Sequence, residues 1–546
     1  MNRPPVLLHA LLAAALATAA ATAQACTSIV VTRGASRDGS VMVTYSADAP
    51  FMPRLLRIAG GTHAPGTMVD VRGWEDNEDR GKIPQAERTY TVVGLVNEHQ
   101  LSLGETTTGG RPELKNRKGQ LDYDALMVLV LQRAKTAREA ITLVDSLCRE
   151  YGFGSSGETF SIADKNEAWI MELIGKGPDV KGIVWVAAKV PDGCITAHAN
   201  LSRITTFPLN DPDNWLYSPD VVTFAIEKGY YKTDSGKPFN YRDAYHPSQS
   251  ASVRRACAGR VWSIYRRSAP SQNFSDAYYR GAENVEDYPL FIKPDQQLGL
   301  HDVMGLMRDH FEGTPYDMTK GPDAGPYCSP MRLRDLAFKV DGKNYMWERP
   351  ISTQQSGFVI VNQSRQNLPD AVGGLTWFTP DEASTSCFTP FYCAIDALPA
   401  PYTTGTYDKF SWESAWWVTN LVSNLTYDRW SRVYPDVQKA QADQEAALLK
   451  MQPVIEETAA KLAAADPALA QSFLTNYSVS TAEAVFRRWQ DLAHSILTRN
   501  VDGYTKDANG HPKAAGYSEE WLRHVVESRP DQFKLPETKK PVETDH

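Results

Sequence analysis

A cysteine at position 26 directly follows a segment that has the form of a secretory leader. Residues 6–23 are apolar and rich in alanine, and Ala23-Gln24-Ala25 has the small-x-small form that signal peptidase accepts. Cleavage there would leave Cys26 with a thiol and a free α-amine. Because such an amine titrates at about 7.7–8.0 and a free thiol near about 8.5, the amine can take the thiol proton and later return it to a leaving amine. The sequence therefore predicts a nucleophile and its base in one residue.

The same segment allows other interpretations. Residues 6–23 could be an N-terminal membrane anchor, and a cysteine directly after a cleavage site could carry a lipid, although Ala-Gln-Ala matches the lipoprotein pattern poorly. Cys26 could also be a buried strand-end cysteine or half of a disulfide. The chain has seven cysteines, and in an oxidising compartment six could pair once Cys26 is set aside. Cys387 and Cys393 are close enough in sequence to bridge a short loop.

Charge and composition restrict the partners of this chain. Its 546 residues are 42% hydrophobic, enough for a large core with an appendage, and its net charge is -8 without a polybasic block. These values argue against a nucleic acid or an anionic membrane surface as partner. We expect no metal and no other cofactor, since the group Asp309, His310 and Glu312 in RDHFEG lacks the His-Glu-x-x-His spacing of a zinc site.

The elements that must position Cys26 are strands followed by a helix pair and more strands. TSIVVT and SVMVTY flank a turn signal at Asp38-Gly39, and TYTVVGLVNEHQLSLGETT is a second strand pair. Residues 122–151 change to helical periodicity, with Asp122 or Asp124 capping the first helix and Thr136 the second. TFSIADKNEAWIMELI, GIVWVAAKV and CITAHAN return to strands. This order predicts an α+β fold with two antiparallel sheets stacked face to face and helices outside both.

The rest of the chain suggests a division into four parts. Residues 205–350 are rich in loops but contain two helical segments, SASVRRACAGRVWSIYRR and LHDVMGLMRDHF, and the chain beyond about residue 411 is helical. We predict the following parts: signal peptide 1–25, catalytic domain 26–400, mainly helical region 401–534 and disordered tail 535–546.

Several blocks, in order, resemble the dipeptidase A-like cysteine dipeptidases, relatives of the secernins in the N-terminal-nucleophile (Ntn) hydrolase superfamily. The resemblance covers roughly residues 26–430. It is carried by CTSIVVTRGASRDGS, GLVNEHQLSLGETT, FSIADKNEAWIMELIG, AHANLSRI, DVMGLMRDHFEGTPYDMTKG, GPYCSPMR, LPDAVGGLTWFTPDEAS and FTPFYCAID. It implies a four-layer αββα sandwich, no metal, and hydrolysis of dipeptides or short peptides through an acyl-enzyme on Cys26. More distant relatives, penicillin V acylase and bile salt hydrolase, cleave other amides.

The resemblance also suggests roles for polar residues. Asp48, in TYSADAP, occupies the place where relatives carry an aspartate after the second strand, where it would hold the ammonium or orient the thiol. Asn97 lies at a predicted strand turn and Asn200 ends a predicted strand. An amide donor suits a developing oxyanion, and we favour Asn200 slightly. Ordinary turn chemistry is the alternative for either asparagine.

A cation near the site would favour the thiolate or bind a substrate carboxylate. Arg203 is one candidate, and Arg254 or Arg255 in SVRRACAGRVW is the other, near where the acylase relatives carry a late arginine. One departure concerns the acylase arginine three residues before the aspartate, because Tyr45 stands at that position.

The sequence thus predicts an exported cysteine dipeptidase, periplasmic or secreted, whose partner is a dipeptide or short peptide. Lipid anchoring and assembly into a homo-oligomer stay open. The alternatives are an acylase acting on another amide and a binding protein that keeps the fold without activity.

Overall fold

The computed structural model describes residues 26–73, 77–247, 249–333 and 335–536. The predicted signal peptide lies outside the described residues, as does the predicted tail beyond residue 536. The strands of the described part are β1 (Ser28–Val31), β2 (Val41–Asp48), β3 (Arg57–Ile58), β4 (Gly61–Thr62), β5 (Met68–Arg72), β6 (Asp79–Pro84), β7 (Arg88–Thr89), β8 (Val92–Val93), β9 (Val96–Asn97), β10 (Ser102–Gly109), β11 (Gly157–Ala163), β12 (Ala168–Gly175), β13 (Ile183–Lys189), β14 (Ile195–His198), β15 (Trp215–Tyr217), β16 (Ala337–Val340), β17 (Lys343–Met346), β18 (Ser356–Ser364), β19 (Leu375–Pro380), β20 (Thr389–Tyr392), β21 (Tyr504–Lys506) and β22 (Pro512–Ala514).

The α-helices of the same residues begin with the predicted helix pair. They are α1 (Tyr123–Arg133), α2 (Ala137–Tyr151), α3 (Val221–Glu227), α4 (Tyr241–Tyr245), α5 (Ala251–Ser268), α6 (Leu300–Leu306), α7 (Asp370–Gly373), α8 (Ala415–Asp428), α9 (Trp430–Ala465), α10 (Pro467–Arg499), α11 (Glu519–Ser528) and α12 (Pro530–Phe533). Asp122 caps α1 and Thr136 caps α2, because each side chain accepts a backbone N–H of the first turn.

Two large antiparallel sheets form the centre of the molecule. The first has six strands in the order β14-β1-β2-β18-β19-β20, and the second has eight in the order β15-β13-β12-β11-β10-β9-β8-β3. β1 and β2 are buried along their whole length, because the sheets pack face to face through β1 and β2 on one side and β10 and β11 on the other. The α+β class with two antiparallel sheets is confirmed.

A glycine permits the close approach of the two sheets. A Cβ atom on Gly104 in β10 would lie 2.8 Å from the carbonyl oxygen of Thr44 and 3.0 Å from a methyl group of Val43. Since carbon atoms do not approach backbone oxygens so closely, only glycine fits at this point of β10. The contact fixes how β10 lies over β2.

Helices cover the outer faces of both sheets. α1 and α2 pack on the second sheet, against β10 to β13, while α5 packs on β14 and α6 on β18 of the first sheet. The layers are therefore helix, sheet, sheet and helix. α3 packs on β13 at the edge where the second sheet extends beyond the first.

The C-terminal helices α8, α9 and α10 pack on β19 and β20, at one edge of the first sheet. They share one hydrophobic core with the sheets, since Val418, Val437 and Leu474 belong to the same buried cluster as Ile29. Buried ion pairs add to this contact: Arg308 Nη2 lies 2.6 Å from Glu445 Oε1, and Arg365 pairs with Glu456. The helical C-terminal region is confirmed, and its division from the sheets at residue 400 stays a prediction.

Two further observations concern disulfides and membranes. All seven cysteines are free thiols, so the bridge considered between Cys387 and Cys393 is not formed. Within residues 26–536, apart from the short gaps in their description, no helix combines the length and the apolar character needed to cross a bilayer.

Candidate active site

Cys26 lies two residues before β1, the strand next to the edge of the first sheet, and only 3% of its surface is exposed. Its position follows from strand register. β1 pairs with β14 so that Ser28 is opposite His198, and continuing this antiparallel register by two residues sets Cys26 opposite Asn200. The backbone nitrogen of Cys26 donates to Oδ1 of Asn200 at 2.8 Å. The next residue, Thr27, is bridged to Ser46 of β2, so the head of β1 is held from both sides.

Asn200 takes a backbone conformation that brings its side chain back over the strand end. Its φ is 59°, in the left-handed region that asparagine tolerates better than most residues. Besides accepting from Cys26, the side chain donates from Nδ2 to the carbonyl oxygen of Thr107 at 2.8 Å. Asn200 therefore connects Cys26 in the first sheet to β10 in the second, and the structure brings this predicted residue to the site.

Arg260 of α5 is the cation at Cys26, and it is completely buried. Nη1 donates to the carbonyl oxygen of Cys26 at 2.6 Å and to Oγ1 of Thr27 at 2.9 Å. Nη2 donates to Oδ1 of Asn200 at 3.0 Å and to the carbonyl oxygen of Ala199 at 3.2 Å. The planar guanidinium thus holds both strand ends that meet at the nucleophile.

Charges around Arg260 link it to the thiol. Burial and then the like charge of Arg349 lower the pKa of Arg260 to about 10, while Cys257, Asp48 and Cys26 act in the opposite direction. Arg260 still carries its proton at neutral pH. A Cys26 thiolate stabilises the charged form of Arg260. Because the interaction between two charges is mutual, Arg260 also stabilises the thiolate form of Cys26.

Asp48 ends β2 and is brought to the same site. Its Oδ1 accepts from Oγ of Ser356 at 2.7 Å, and its Oδ2 lies 3.3 Å from Nη2 of Arg349. Burial raises the pKa of Asp48, and the charges of Arg349 and Arg260 and the Ser356 hydroxyl oppose that shift. Asp48 therefore offsets the positive charge of two buried arginines beside the nucleophile.

The sequence analysis did not identify a carboxyl pair that reaches Cys26. Glu105 of β10 and Glu158 of β11 are 0% and 1% exposed. Burial raises the pKa of Glu105, and hydrogen bonds from Glu158, Tyr45, Thr107 and Cys26 oppose the shift. Tyr45, which replaces the acylase arginine, thus bonds to a carboxyl group next to the thiol. The available signal was a glutamate inside each of two strands, LSLGETT and GETFSIA, where apolar residues are expected.

Asn97 is not brought to Cys26, because its amide is fully used elsewhere. Nδ2 donates to the carbonyl oxygens of Leu131 and Ala134 at 2.7 and 2.8 Å, and Oδ1 accepts from the backbone of His99 and Leu101. Both amide protons therefore close the end of α1, which leaves no donor for an oxyanion. Asn97 has the alternative role, that of a turn residue.

The three arginines considered from the sequence have partners other than Cys26. Arg203 donates to the carbonyl oxygens of Ala197, Tyr288 and Pro289, which ties β14 to the following loop. Arg254 donates to the carbonyl oxygens of Gly281 and Ala282, and Arg255 pairs with Glu348. The structure brings Arg260 of the same helix to Cys26, whereas Arg254 and Arg255 have other partners. Arg260 stands in the buried run Cys257 to Ile264 of α5, whereas Arg254 and Arg255 lie in its partly exposed first turn.

A cavity of about 950 Å³ opens at the first turn of α5. Its lining includes Arg255, Arg280, Tyr316, Trp347 and Glu348, and it does not include Cys26. Within the described ranges, no group of three or more His, Cys, Asp or Glu side chains is arranged to hold a metal ion.

Comparison with known proteins shows similarity to a family of peptidases. The model of peptidase family C69 matches residues 60–443. "Probable dipeptidase A" of Streptococcus pyogenes serotype M3 is 26% identical over 430 residues, which are 73% of this chain and 83% of the relative. "Probable dipeptidase" of Latilactobacillus sakei is 25% identical over 504 residues, 87% and 96% of the two chains. "Dipeptidase A" of Lactobacillus helveticus is 24% identical over 439 residues, 76% and 84% of the two chains.

The fold consists of two stacked antiparallel sheets between helices, with a cysteine directly before an interior strand of the first sheet. The chain belongs to peptidase family C69, whose members act on peptide bonds. The matched residues include Glu105, Glu158, Asn200 and Arg260 but begin after Cys26.

Proposed function

We propose that this chain is an exported cysteine dipeptidase that hydrolyses dipeptides or short peptides through an acyl-enzyme on Cys26, with the free α-amine of Cys26 as base. One observation carries the proposal. The nitrogen of Cys26 is bonded to Asn200 and its carbonyl oxygen to Arg260, at 2.8 and 2.6 Å. A first residue held at both backbone atoms keeps its amine and its thiol in one orientation toward a substrate, which is the condition for efficient attack. The names of the relatives support dipeptides as the substrate class.

Acylation needs two proton transfers, one from the Cys26 thiol to the α-amine and one from the resulting ammonium to the leaving amine. The α-amine takes the thiol proton, and Sγ attacks the carbonyl carbon of the scissile bond. When the tetrahedral intermediate collapses, the ammonium returns this proton to the leaving amine, and the first residue of the substrate stays on Sγ as a thioester. Water then repeats the sequence: the amine takes a proton from water, the hydroxide attacks the thioester carbon, and the thiol is restored as the product carboxylate leaves.

Arg260 has two roles in this scheme. Its charge favours the thiolate form of Cys26, and its bonds to the carbonyl oxygens of Cys26 and Ala199 hold the two strand ends in place. Asp48 pairs with Arg349 at 3.3 Å and its charge also acts on Arg260, so one carboxyl group offsets part of the positive charge of the two buried arginines.

The amide that stabilises the oxyanion is assigned to Asn200. Asn97 uses both protons of its amide on carbonyl groups of the α1 end. Asn200 lies directly at Cys26, whose nitrogen donates to its Oδ1, and its bond to Thr107 takes one of the two protons of its amide. A neutral amide suits this task because it stabilises negative charge without carrying a proton that competes with the α-amine.

Export and activation are proposed to be the same cleavage. The peptide bond before Cys26 makes its nitrogen an amide, which is not a base, and removal of the leader after Ala25 creates the amine. Attachment of a lipid to Cys26 would remove the thiol, so the mature protein is expected to begin with an unmodified cysteine. The proposal places the active form in the periplasm or the medium.

A substrate panel tests the proposed function. Purified mature protein is incubated with dipeptides, with longer peptides and with N-acylated amides of the kind that acylases cleave. We expect hydrolysis of dipeptides and little turnover of the amides. Absence of dipeptide hydrolysis by protein whose Cys26 thiol titrates as free would contradict the proposal.

A further inference from the structure

We infer that Glu105 and Glu158 together form the site that binds the protonated α-amine of the substrate, and that they restrict the enzyme to peptides with an unblocked N-terminus. This inference rests on the proposed function, because it describes where a dipeptide lies when Cys26 attacks it.

Strand pairing places the two carboxyl groups side by side. In the β10–β11 pair, Glu105 is opposite Phe160 and Glu158 is opposite Thr107. The two glutamates are therefore diagonal neighbours on one face of the second sheet. Each group influences the pKa of the other, and burial together with Glu105 raises the pKa of Glu158 well above its ordinary value.

The pair has no directly bonded cation among the described residues. The charge of Lys115 acts to lower the pKa of Glu158, but burial and Glu105 outweigh it. Thr107 donates to Oε1 of Glu105 at 3.1 Å, and Glu158, Tyr45 and Cys26 are also within hydrogen-bond reach of the Glu105 carboxyl group. Oε2 of Glu105 and Oε2 of Glu158 nevertheless have no hydrogen-bond partner of good geometry among the described residues. Buried polar atoms are nearly always satisfied. Two orphaned carboxylate oxygens beside a nucleophile therefore indicate a ligand that brings N–H groups and positive charge.

Covalent geometry shows which ligand fits. In a dipeptide, the α-nitrogen is separated from the scissile carbonyl carbon only by Cα, with bonds of about 1.46 and about 1.52 Å. When Sγ of Cys26 attacks that carbon, the ammonium must lie beside Sγ. Glu105 is within hydrogen-bond reach of the Cys26 side chain, so its carboxyl group occupies this neighbourhood.

The α-amine of Cys26 is the second amine of the proposed site, and its nitrogen already has a partner. Its nitrogen donates to Asn200 Oδ1 at 2.8 Å. Asn200 thus holds the α-amine of Cys26, which is the proposed base. The two glutamates bind the α-amine of the substrate, so each amine has its own partner.

Paired substrates with and without the amine test the inference. Alanyl-alanine and propionyl-alanine differ only in the ammonium group. We expect wild-type protein to prefer alanyl-alanine in kcat/KM. We expect Glu105→Gln to lose roughly 10- to 100-fold on alanyl-alanine alone, the size of one hydrogen bond to a charged group. The loss should fall mainly on KM, since the ammonium is bound equally in the ground state and the transition state. Glu158→Gln should change the preference in the same direction.

Glu167→Gln is the matched control. Glu167 lies between β11 and β12, where it pairs with Arg138 and Lys189, and its substitution should leave the preference unchanged. An equal loss on both substrates would show that the glutamates only position Cys26, and no loss would show that they do not act; either result overturns the inference. Should Glu105→Gln fail to fold, Glu158→Gln decides in the same way. If wild-type protein cleaves neither substrate, both the proposed function and the inference are contradicted. If the variants hydrolyse dipeptides normally and keep the wild-type preference for alanyl-alanine, only the inference is contradicted.

Discussion

The chemistry proposed for this chain depends on two atoms of Cys26, its Sγ and its α-nitrogen. Replacing Sγ with oxygen changes little in shape, but a hydroxyl group is far harder to deprotonate than a thiol. We expect Cys26→Ser to reduce dipeptide hydrolysis by more than about 1,000-fold while the thermal unfolding midpoint stays nearly constant. Cys194→Ser, at a half-exposed thiol, is the control and should keep full activity. Normal turnover by Cys26→Ser would refute the assigned nucleophile.

The choice among the arginines is also tested at the scale of residues. Arg260 donates to four oxygen atoms that lie just before β1 and just after β14, including the carbonyl oxygen of Cys26. We expect Arg260→Lys to lower kcat/KM at least about 100-fold and to cost about 2–4 kcal/mol of unfolding free energy, because a lysine cannot satisfy the same set of buried oxygens. Steady-state kinetics and urea unfolding measure both effects.

Arg254→Lys provides the comparison, since Arg254 binds only the backbone of Gly281 and Ala282. It should change kcat/KM by no more than a few-fold. A larger loss of activity from Arg254→Lys than from Arg260→Lys would show that the structure assigns the wrong arginine.

At the scale of elements, β10 lies close over β2. Gly104 permits that contact, because a Cβ there would lie 2.8 Å from Thr44. We expect Gly104→Ala to cost about 1–3 kcal/mol of unfolding free energy, as overpacking does in other cores. Gly305→Ala in α6 is the control: the added Cβ meets only the end of Arg267, at 3.9 Å, and should be neutral or slightly stabilising. Denaturant unfolding of the two variants compares them, and equal stability would contradict the close sheet contact.

The contact between α9 and the sheets gives a second prediction for elements. Glu445 accepts from Arg308 and from the backbone of Phe388 in the interior. We expect Glu445→Ala to cost about 3–5 kcal/mol of unfolding free energy, because it leaves a buried arginine without its partner. Glu457 is exposed on the same helix and pairs only with Lys461. Its replacement by alanine should not change the denaturation midpoint, and equal effects of the two variants would mean that α9 does not pack as described.

Regular elements were predictable because their signals are local. Hydrophobic periodicity and the caps Asp122 and Thr136 indicated α1 and α2, and the register of CITAHAN against TSIVVT explains why Asn200 meets Cys26. Tertiary contacts were not predictable in this way. Nothing in SVRRACAGRVW distinguishes three arginines until the buried face of α5 is known, and Glu105 meets Glu158 only after β10 pairs with β11.

For the whole molecule, the helical C-terminal region and the sheets share one core, and Cys26, Asp48, Glu105 and Arg260 of the candidate site are buried. The central claim concerns the first residue of this assembly. Only a free α-amine can act as the base, and any residue retained before Cys26 turns that amine into an amide. Activity and the identity of the N-terminus must therefore change together.

The most direct measurement is N-terminal mass analysis of purified protein, combined with the dipeptide hydrolysis rate of two forms that differ only in Ala25. The account predicts that active protein begins with an unmodified Cys26 and that the form retaining Ala25 has no activity above background. Full turnover by the form with Ala25 still attached, or an active protein with an acylated Cys26 nitrogen, would contradict it.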